Sequence, residues 1–182
     1  MGFDCTFIVP NQKYLFMKLT KYVSALALAS MLAFTSCTTD SFDQDEDLSV
    51  VKLVEAPSPK TIELEILDLI NDYRLNLGLT PLKHHTTVKS IAFTHTDYMV
   101  EVNNVSHDNF YQRKNSLQVY ESAVNVSENV GYGYSSAQAV VNAWINSDDH
   151  RANIEGDFTD FDISAEQNAD GRWYFTNIFM KR

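Results

Sequence analysis

Two cysteines in 182 residues leave this chain with almost no thiol chemistry. Basic residues are equally scarce: 14 Lys and Arg face 24 Asp and Glu, for a net charge of −10. There is no basic stripe, so nucleic acid is excluded as a partner, because binding it requires Lys and Arg to displace condensed counterions. The apolar stretch from Tyr22 to Phe34 is too short to span a bilayer comfortably as a permanent helix. The chain also lacks an HExxH run, and neither Ser127 nor Ser147 sits in a G-x-S-x-G setting, so the local signatures of a zinc protease and of a serine hydrolase are both missing. No internal repeat is present. What remains is a chain 45% hydrophobic, enough for one domain with a substantial core.

The first part of the chain is not that core. Met17 opens "MKLTKYVSALALASMLAFTSC", in which Lys18 and Lys21 precede the apolar run, and Thr35 and Ser36 lead into Cys37. A positive start, a short apolar centre and small residues before a cleavage point make a secretory signal. Met17 is a better start than Met1; with that start Cys5 is absent and the mature chain has no disulfide. The segment ending on Cys37 resembles a bacterial lipoprotein signal, in which that cysteine is lipidated and becomes the first mature residue. Phe34 departs from the commonest form of that signal, and the loosened form resembles those of Bacteroidetes-type bacteria. The resemblance implies a lipid anchor at Cys37 in the outer membrane of a Gram-negative envelope. Residues 1–36 carry three basic residues and one acidic residue, so the mature chain has 11 basic and 23 acidic residues, net −12. Membrane contact is therefore expected from the lipid rather than from electrostatics. Residues 37–58, "CTTDSFDQDEDLSVVKLVEAPS", are acidic and then proline-containing; this composition predicts a solvated tether of about twenty residues. Acidic residues close behind a lipidated cysteine also resemble a surface-export signal.

Residues 59–182 carry the periodic patterns of a folded domain. In "SPKTIELEILDLINDYRLNLG", Ser58 can cap a helix, Pro59 suits its first position and Gly78 its exit. Ile62, Ile66, Leu69, Ile70 and Tyr73 recur at helical spacing. "LTPLKHH" reads as a turn with His84 and His85 exposed. A second helix is predicted from about Thr87 to Val102, with Val88, Ile91, Ala92, His95, Met99 and Val102 on one face; on that face His95 reads as a core histidine. A third begins at Ser135, where Ser135 and Gln138 form a capping-box pair, and turns Val140, Val141 and Trp144 inward. From Phe161 the pattern alternates through "FDISAEQN", turns at Asp170-Gly171 and resumes in "RWYFTNIFMKR", which predicts a β-hairpin. Helices first and strands last indicate an α+β domain in which helices cover a small antiparallel sheet.

Three polar positions stand out on these elements. His107 follows the second helix in "NNVSHDNF", Glu128 lies in a loop in "NVSENVGYG", and His150 closes the third helix in "WINSDDHRANI". They are separated by 21 and 22 residues, too far for a local metal motif, yet two imidazoles and a carboxylate could bind a divalent metal or perform acid–base chemistry. The residues alone equally allow three separate structural hydrogen-bonding groups.

The ordered set "ILDLINDYRLNLGLTPLKHH", "AFTHTDYMVEVNNVSHDNF", "SENVGYG", "WINSDDHRANI" and "WYFTNIF" resembles bacterial CAP (SCP-type) domains, the superfamily of pathogenesis-related proteins, venom allergens and cysteine-rich secretory proteins. The match runs from about residue 62 to the C-terminus. It implies an α–β–α sandwich and a central cleft carrying two histidines and two acidic residues. On this chain the histidines fall on His107 and His150 and one acid on Glu128, while the second acidic position falls on Ser147. Asp148 and Asp149 replace the usual Pro-Gly before the last histidine; both are expected to be solvated, with one of them turning into the cleft as the alternative. Asn129 and Asn153 are expected to hold loops, Arg151 to pair with a nearby carboxylate, and Tyr132 and Tyr134 to line a cleft rim. The resemblance implies a binding or interaction module for a hydrophobic ligand or a protein partner. The alternative is a hydrolase in which His107 and His150 hold zinc or calcium while Glu128 activates water. A third reading makes the three residues a purely structural network.

Overall fold

The computed structural model describes residues 49–182; the secretory signal, Cys37 and the acidic residues up to 48 lie outside the described residues. Helix α1 spans Thr61–Asn76 and buries Ile66, Leu67 and Ile70. Its start lies two residues later than Pro59 suggested, because Lys60 is the N-cap and its backbone N–H donates to Glu63 Oε2 at 2.8 Å. Its end is the one Gly78 predicts. Gly78 takes φ +74°, its N–H bonds the Leu75 carbonyl at 2.9 Å, and the Leu79 N–H bonds the Arg74 carbonyl at 2.9 Å. This is the left-handed turn that a residue without Cβ adopts at least cost.

Strand β1 (Lys83–His84) leads into α2 (Thr86–Val102), which buries Val88, Ile91, Ala92, His95 and Met99, while Val102 remains 44% exposed. Helix α3 (Phe110–Glu121) and strand β2 (Asn125–Tyr132) follow; the sequence pattern predicts no element over the first and a loop over the second. Helix α4 (Ala137–Ile145) starts one residue later than expected. Ser136 rather than Ser135 is its cap, accepting from the Ala139 N–H at 3.2 Å. A separate short helix α5 (Asp148–Glu155) carries His150, so that residue opens an element instead of closing one. Strands β3 (Asp160–Gln167) and β4 (Trp173–Lys181) form the predicted hairpin.

The sheet order is β1-β3-β4-β2. β3 and β4 are antiparallel neighbours, as expected; β2, predicted as a loop, adds antiparallel to β4, and the two-residue β1 joins β3 in parallel. One apolar cluster joins α1, α4 and α5 to the sheet through Ile66, Ile70, Trp144, Ile154, Phe175 and Phe179. The second joins α2 and α3 to the opposite face through Val88, Ile91, Leu117, Ile178 and Met180. Alternation along β4 supplies both clusters, Phe175 and Phe179 to one, Ile178 and Met180 to the other. The result is the α–β–α sandwich, in which each fully buried large apolar side chain contributes roughly 1.5–3 kcal/mol.

Charged groups lock the layers together. Lys89 Nζ of α2 lies 2.7 Å from Glu63 Oε1 of α1 and donates to the Ile163 carbonyl of β3 at 2.7 Å. Glu63 Oε1 also accepts the Ala165 N–H at 2.7 Å. Arg74, 3% exposed, donates to the carbonyls of Thr80, Ile154 and Gly156, tying α1 to the end of α5.

The segment expected as tether up to residue 58 is hydrogen-bonded to the domain in its last part. The Val51 N–H donates to Ser116 Oγ at 2.6 Å, and Ser90 Oγ both accepts from the Val54 N–H (3.1 Å) and donates to the Val54 carbonyl (2.6 Å). Two serine hydroxyls on α2 and α3 satisfy backbone groups that composition alone would leave to water.

Gly131 in β2 lets α4 approach closely; a Cβ there would lie 3.0 Å from Val140 Cγ2 and 3.5 Å from the Trp144 ring. The indole Nε1 of Trp144 then donates to the Val130 carbonyl at 2.9 Å. Trp144→Phe should lower stability by about 1–3 kcal/mol by leaving that carbonyl unpaired. Urea unfolding checks this: the midpoint should fall with an unchanged slope, and an unaltered midpoint would show that the bond carries no weight.

Candidate functional site

Glu128 is the centre of the site, and the sheet places it there. In β2 it pairs opposite Ile178 and is 5% exposed. Arg113, on α3 and 2% exposed, grips it with a two-pronged fork: Nε donates to Oε2 and Nη2 to Oε1, both at 2.7 Å. The third arm, Nη1, donates to the Asp108 carbonyl at 2.6 Å and so fixes the loop that carries His107. His107 Nδ1 donates to Glu128 Oε1 at 2.8 Å. Burial by itself would raise the Glu128 carboxyl, but the hydrogen bonds from His107 and Arg113 outweigh it and hold the group below the usual carboxylate range.

His107 and Glu128, 21 residues apart, are therefore joined directly, with the imidazole half exposed and the carboxylate buried. Because an ionised carboxylate only accepts, a proton sits on His107 Nδ1 and Nε2 takes no part in the bond to Glu128. His95 lies beneath the pair: its Nε2 is 4.0 Å from Glu128 Oε1 and donates to the Ser106 carbonyl at 2.8 Å, and its ring stacks on Tyr98. Burial and the Arg113 charge push His95 down, so it serves as a neutral core group, as its place on α2 predicted.

His150 approaches from the other side. Asn153 Nδ2 donates to the Glu128 carbonyl (3.2 Å) and to Asn129 Oδ1 (2.8 Å), and Asn129 Nδ2 donates to the His150 carbonyl (3.0 Å). The two asparagines thus hold α5 against β2, the positioning role expected of them. The His150 ring bonds Ser147 Oγ through Nδ1 at 2.8 Å instead of meeting Glu128. That hydroxyl is consequently not used to cap α5, although Ser147 is the N-cap residue. Burial pushes His150 down, and a positive charge on His107 disfavours a second one here, with Asp149 opposing weakly. The two rings are within electrostatic reach of one another, though no hydrogen bond joins them.

Asp148 and Asp149 lie in the first turn of α5, where negative charge suits the helix N-terminus. Asp148 is 91% exposed and pairs with Arg151 Nη2 at 2.6 Å. Asp149 is exposed, so neither aspartate replaces the acid whose position Ser147 occupies. Tyr132 is 38% exposed and packs on Tyr174 with ring centroids 4.5 Å apart. His84 is exposed as expected, but His85 is not. It is the N-cap residue of α2, and its Nε2 lies 3.2 Å from Glu121 Oε2, because β1 draws this segment onto the sheet.

The donor set does not fit a metal centre. Both Glu128 oxygens are already bound, which leaves two imidazole Nε2 atoms, fewer than the three protein ligands of a catalytic zinc site. Among the described residues no group of three or more His, Cys, Asp or Glu is placed to hold a metal ion. The expected His107–His150 metal pair with Glu128 as water-activating base therefore loses its third ligand and its base to the same arginine. Arg113 is the site residue that sequence reasoning missed. Phe110, Arg113 and Leu117 do recur at helical spacing, but the buried face of α3 combines Leu117 with Arg113 and Ser116, so the hydrophobic pattern is weak.

Arg113→Leu should cost about 3–5 kcal/mol, since it strands a buried carboxylate. Arg113→Lys should recover only part of this, because a point charge cannot reproduce the fork. Urea unfolding of the two variants checks the order, and equal losses would refute the role of the fork.

Known proteins are similar to this chain in sequence and in fold. The chain is 32% identical over 126 residues to the membrane protein YlbC of Bacillus subtilis, a match covering 67% of this chain and 35% of that one. It is 31% identical over 106 residues to YkwD of the same organism, covering 54% and 40% respectively. The matched stretch thus spans well under half of either relative. An outer surface protein of Borrelia burgdorferi superposes with a TM-score of 0.61 at 22% identity, over 71% of this chain and 99% of that one. An extracellular protein containing an SCP domain from Bacillus anthracis gives 0.57 at 24% identity, over 69% and 45%. These two establish likeness of fold. Among the described residues no helix is long and apolar enough to cross a membrane. The Cysteine-rich secretory protein (CAP) family profile matches residues 67–179, a stretch that holds His107, Arg113, Glu128 and His150, and this chain belongs to that family.

Proposed function

We propose that this protein is an extracytoplasmic CAP module, lipid-anchored through Cys37 at the outer membrane, that binds a protein partner or hydrophobic ligand over His107, Glu128 and His150. The observation that carries the reading is the state of Glu128. A general base needs a carboxylate that can reach and take a proton. Glu128 is buried, has both oxygens engaged by Arg113 and His107, and is held below the usual carboxylate range. It works instead as a rigid support that presents the His107 ring, 53% exposed, at the surface. Ser147 supports the same view. A neutral hydroxyl beside His150 does not favour an imidazolium as a carboxylate would, so the second ring suits hydrogen bonding at neutral pH better than proton transfer.

The extracytoplasmic reading draws on the secretory signal and on the surface and extracellular proteins that share the fold. It separates experimentally from the binding reading. Globomycin treatment, or Cys37→Ala, should alter processing and move the protein out of the membrane fraction; unchanged processing and fractionation would overturn the anchor.

The binding reading is tested on the full chain recovered from its own membranes, comparing wild type with His107→Ala/His150→Ala. Site-directed photo-crosslinking next to His107 and mass spectrometry of extracted lipids should reveal a crosslinked protein or a bound lipid that the double variant loses while keeping its thermal midpoint. Occupancy that survives the double substitution would refute the assignment of the site, and hydrolytic activity lost on Glu128→Gln would favour the enzyme instead.

A further inference from the structure

Two hollows of about 390 and 360 Å³ meet at Glu65 and Ser136 and make one open groove between α1 and the start of α4. It shares no residue with the His107–Glu128–His150 site. Ile62, Leu69 and Trp173, each partly buried against the core, give it an apolar floor. Its α1 wall is acidic: Glu65, Asp68 and Asp72 are exposed and recur along one face of the helix.

The three carboxylates are uncompensated. Among the described residues none of them has an ion-pair or hydrogen-bond partner, whereas Asp148 and Asp157, also at the surface, hold Arg151 and Lys181. Glu65 and Asp68 stand three residues apart and Asp68 and Asp72 four, spacings at which like charges destabilise a helix. A cation lying in the groove removes that repulsion. Lys60, the lining cation, does not do so, because its Nζ is held 2.5 Å from Glu166 Oε1. A fatty acid or a phosphate would meet the carboxylates with no free cation to offset them. The net charge of −10 likewise draws cations to the chain and repels anions.

We infer that this groove docks an extended basic segment of a partner protein. An aliphatic side chain occupies the Ile62–Trp173 end, and Lys or Arg side chains lie along Glu65, Asp68 and Asp72. The length fits. From Ile62 to Asp72 the helix advances about 15 Å, at about 1.5 Å per residue, which is the span of about four or five extended residues. Thr61, Ser135 and Gln138, all exposed, border the same groove and offer hydroxyl groups and an amide oxygen to a peptide backbone. A flexible polyamine would use the charges but neither the apolar end nor these polar groups.

The test titrates the full chain, purified in nonionic detergent, with acetyl-Leu-Ser-Lys-Ser-Lys-Ser-Lys-amide and its reversed sequence by isothermal calorimetry. Wild type should bind one equivalent of the better-matched peptide, with an affinity that falls as NaCl rises. Serine in place of the peptide's leucine, or spermidine in place of the peptide, should bind several-fold more weakly. Glu65→Gln/Asp68→Asn/Asp72→Asn should weaken binding about tenfold, a factor of about two for each exposed ion pair. These substitutions relieve repulsion within α1, so this variant should melt no lower than wild type. Asp97→Asn/Glu101→Gln/Asp170→Asn removes the same charge from exposed carboxylates outside the groove and should leave the affinity within about twofold. His107→Ala/His150→Ala should leave it unchanged, so this docking stands or falls apart from the candidate site. Absence of saturable binding, equal losses in the two triple variants, spermidine binding as tightly as the peptide, indifference to the peptide's leucine, or loss of binding in the histidine variant would each overturn the assignment.

Discussion

The fork between Arg113 and Glu128 is the interaction on which the candidate site depends. It is made in the interior, where each partner alone would be costly, so neither can be removed without stranding the other. Everything near it is positioned from it: the third arm of Arg113 fixes the Asp108 carbonyl, and the remaining valence of Glu128 sets the tautomer of His107. The fork also determines the chemistry. A carboxylate shared between a guanidinium and an imidazole is a good electrostatic support and a poor proton acceptor.

The two histidines look equivalent in sequence and are unlike in structure. His107 hangs from a buried carboxylate through Nδ1. His150 leans on a hydroxyl, is pushed down by burial, and is held through its own backbone by Asn129. The difference traces to one residue. With a carboxylate at position 147 both rings would carry an anionic partner; with serine only one does.

The parts of the fold legible in the sequence were those whose buried faces are apolar. Ile66 and Ile70 announced α1, Val88, Ile91 and Met99 announced α2, and the alternation through Phe175 and Phe179 announced β4. The elements that were missed bury polar side chains. Helix α3 turns Arg113 and Ser116 inward beside Leu117, and β2 buries Glu128 and Asn129 in a stretch whose Asn, Ser and Gly residues read as a turn. Hydrophobic periodicity cannot register a face whose partner is an ion pair. The same blindness hid Arg113 while His107, Glu128 and His150 stood out through motif resemblance, and it made residues 51–54 read as tether although two serine hydroxyls hold them.

The edge of the sheet has a consequence for association. β2 ends the strand order, and the carbonyls of its alternate residues Glu128 and Val130 accept side-chain donors, Asn153 from α5 and Trp144 from α4. At the far end β1 offers only two residues, Lys83 and His84. An incoming strand therefore finds one border already hydrogen-bonded and the other too short to template a ladder. Among the described residues, backbone pairing between crowded copies of this domain is therefore disfavoured at both borders, which leaves side chains to carry their contacts.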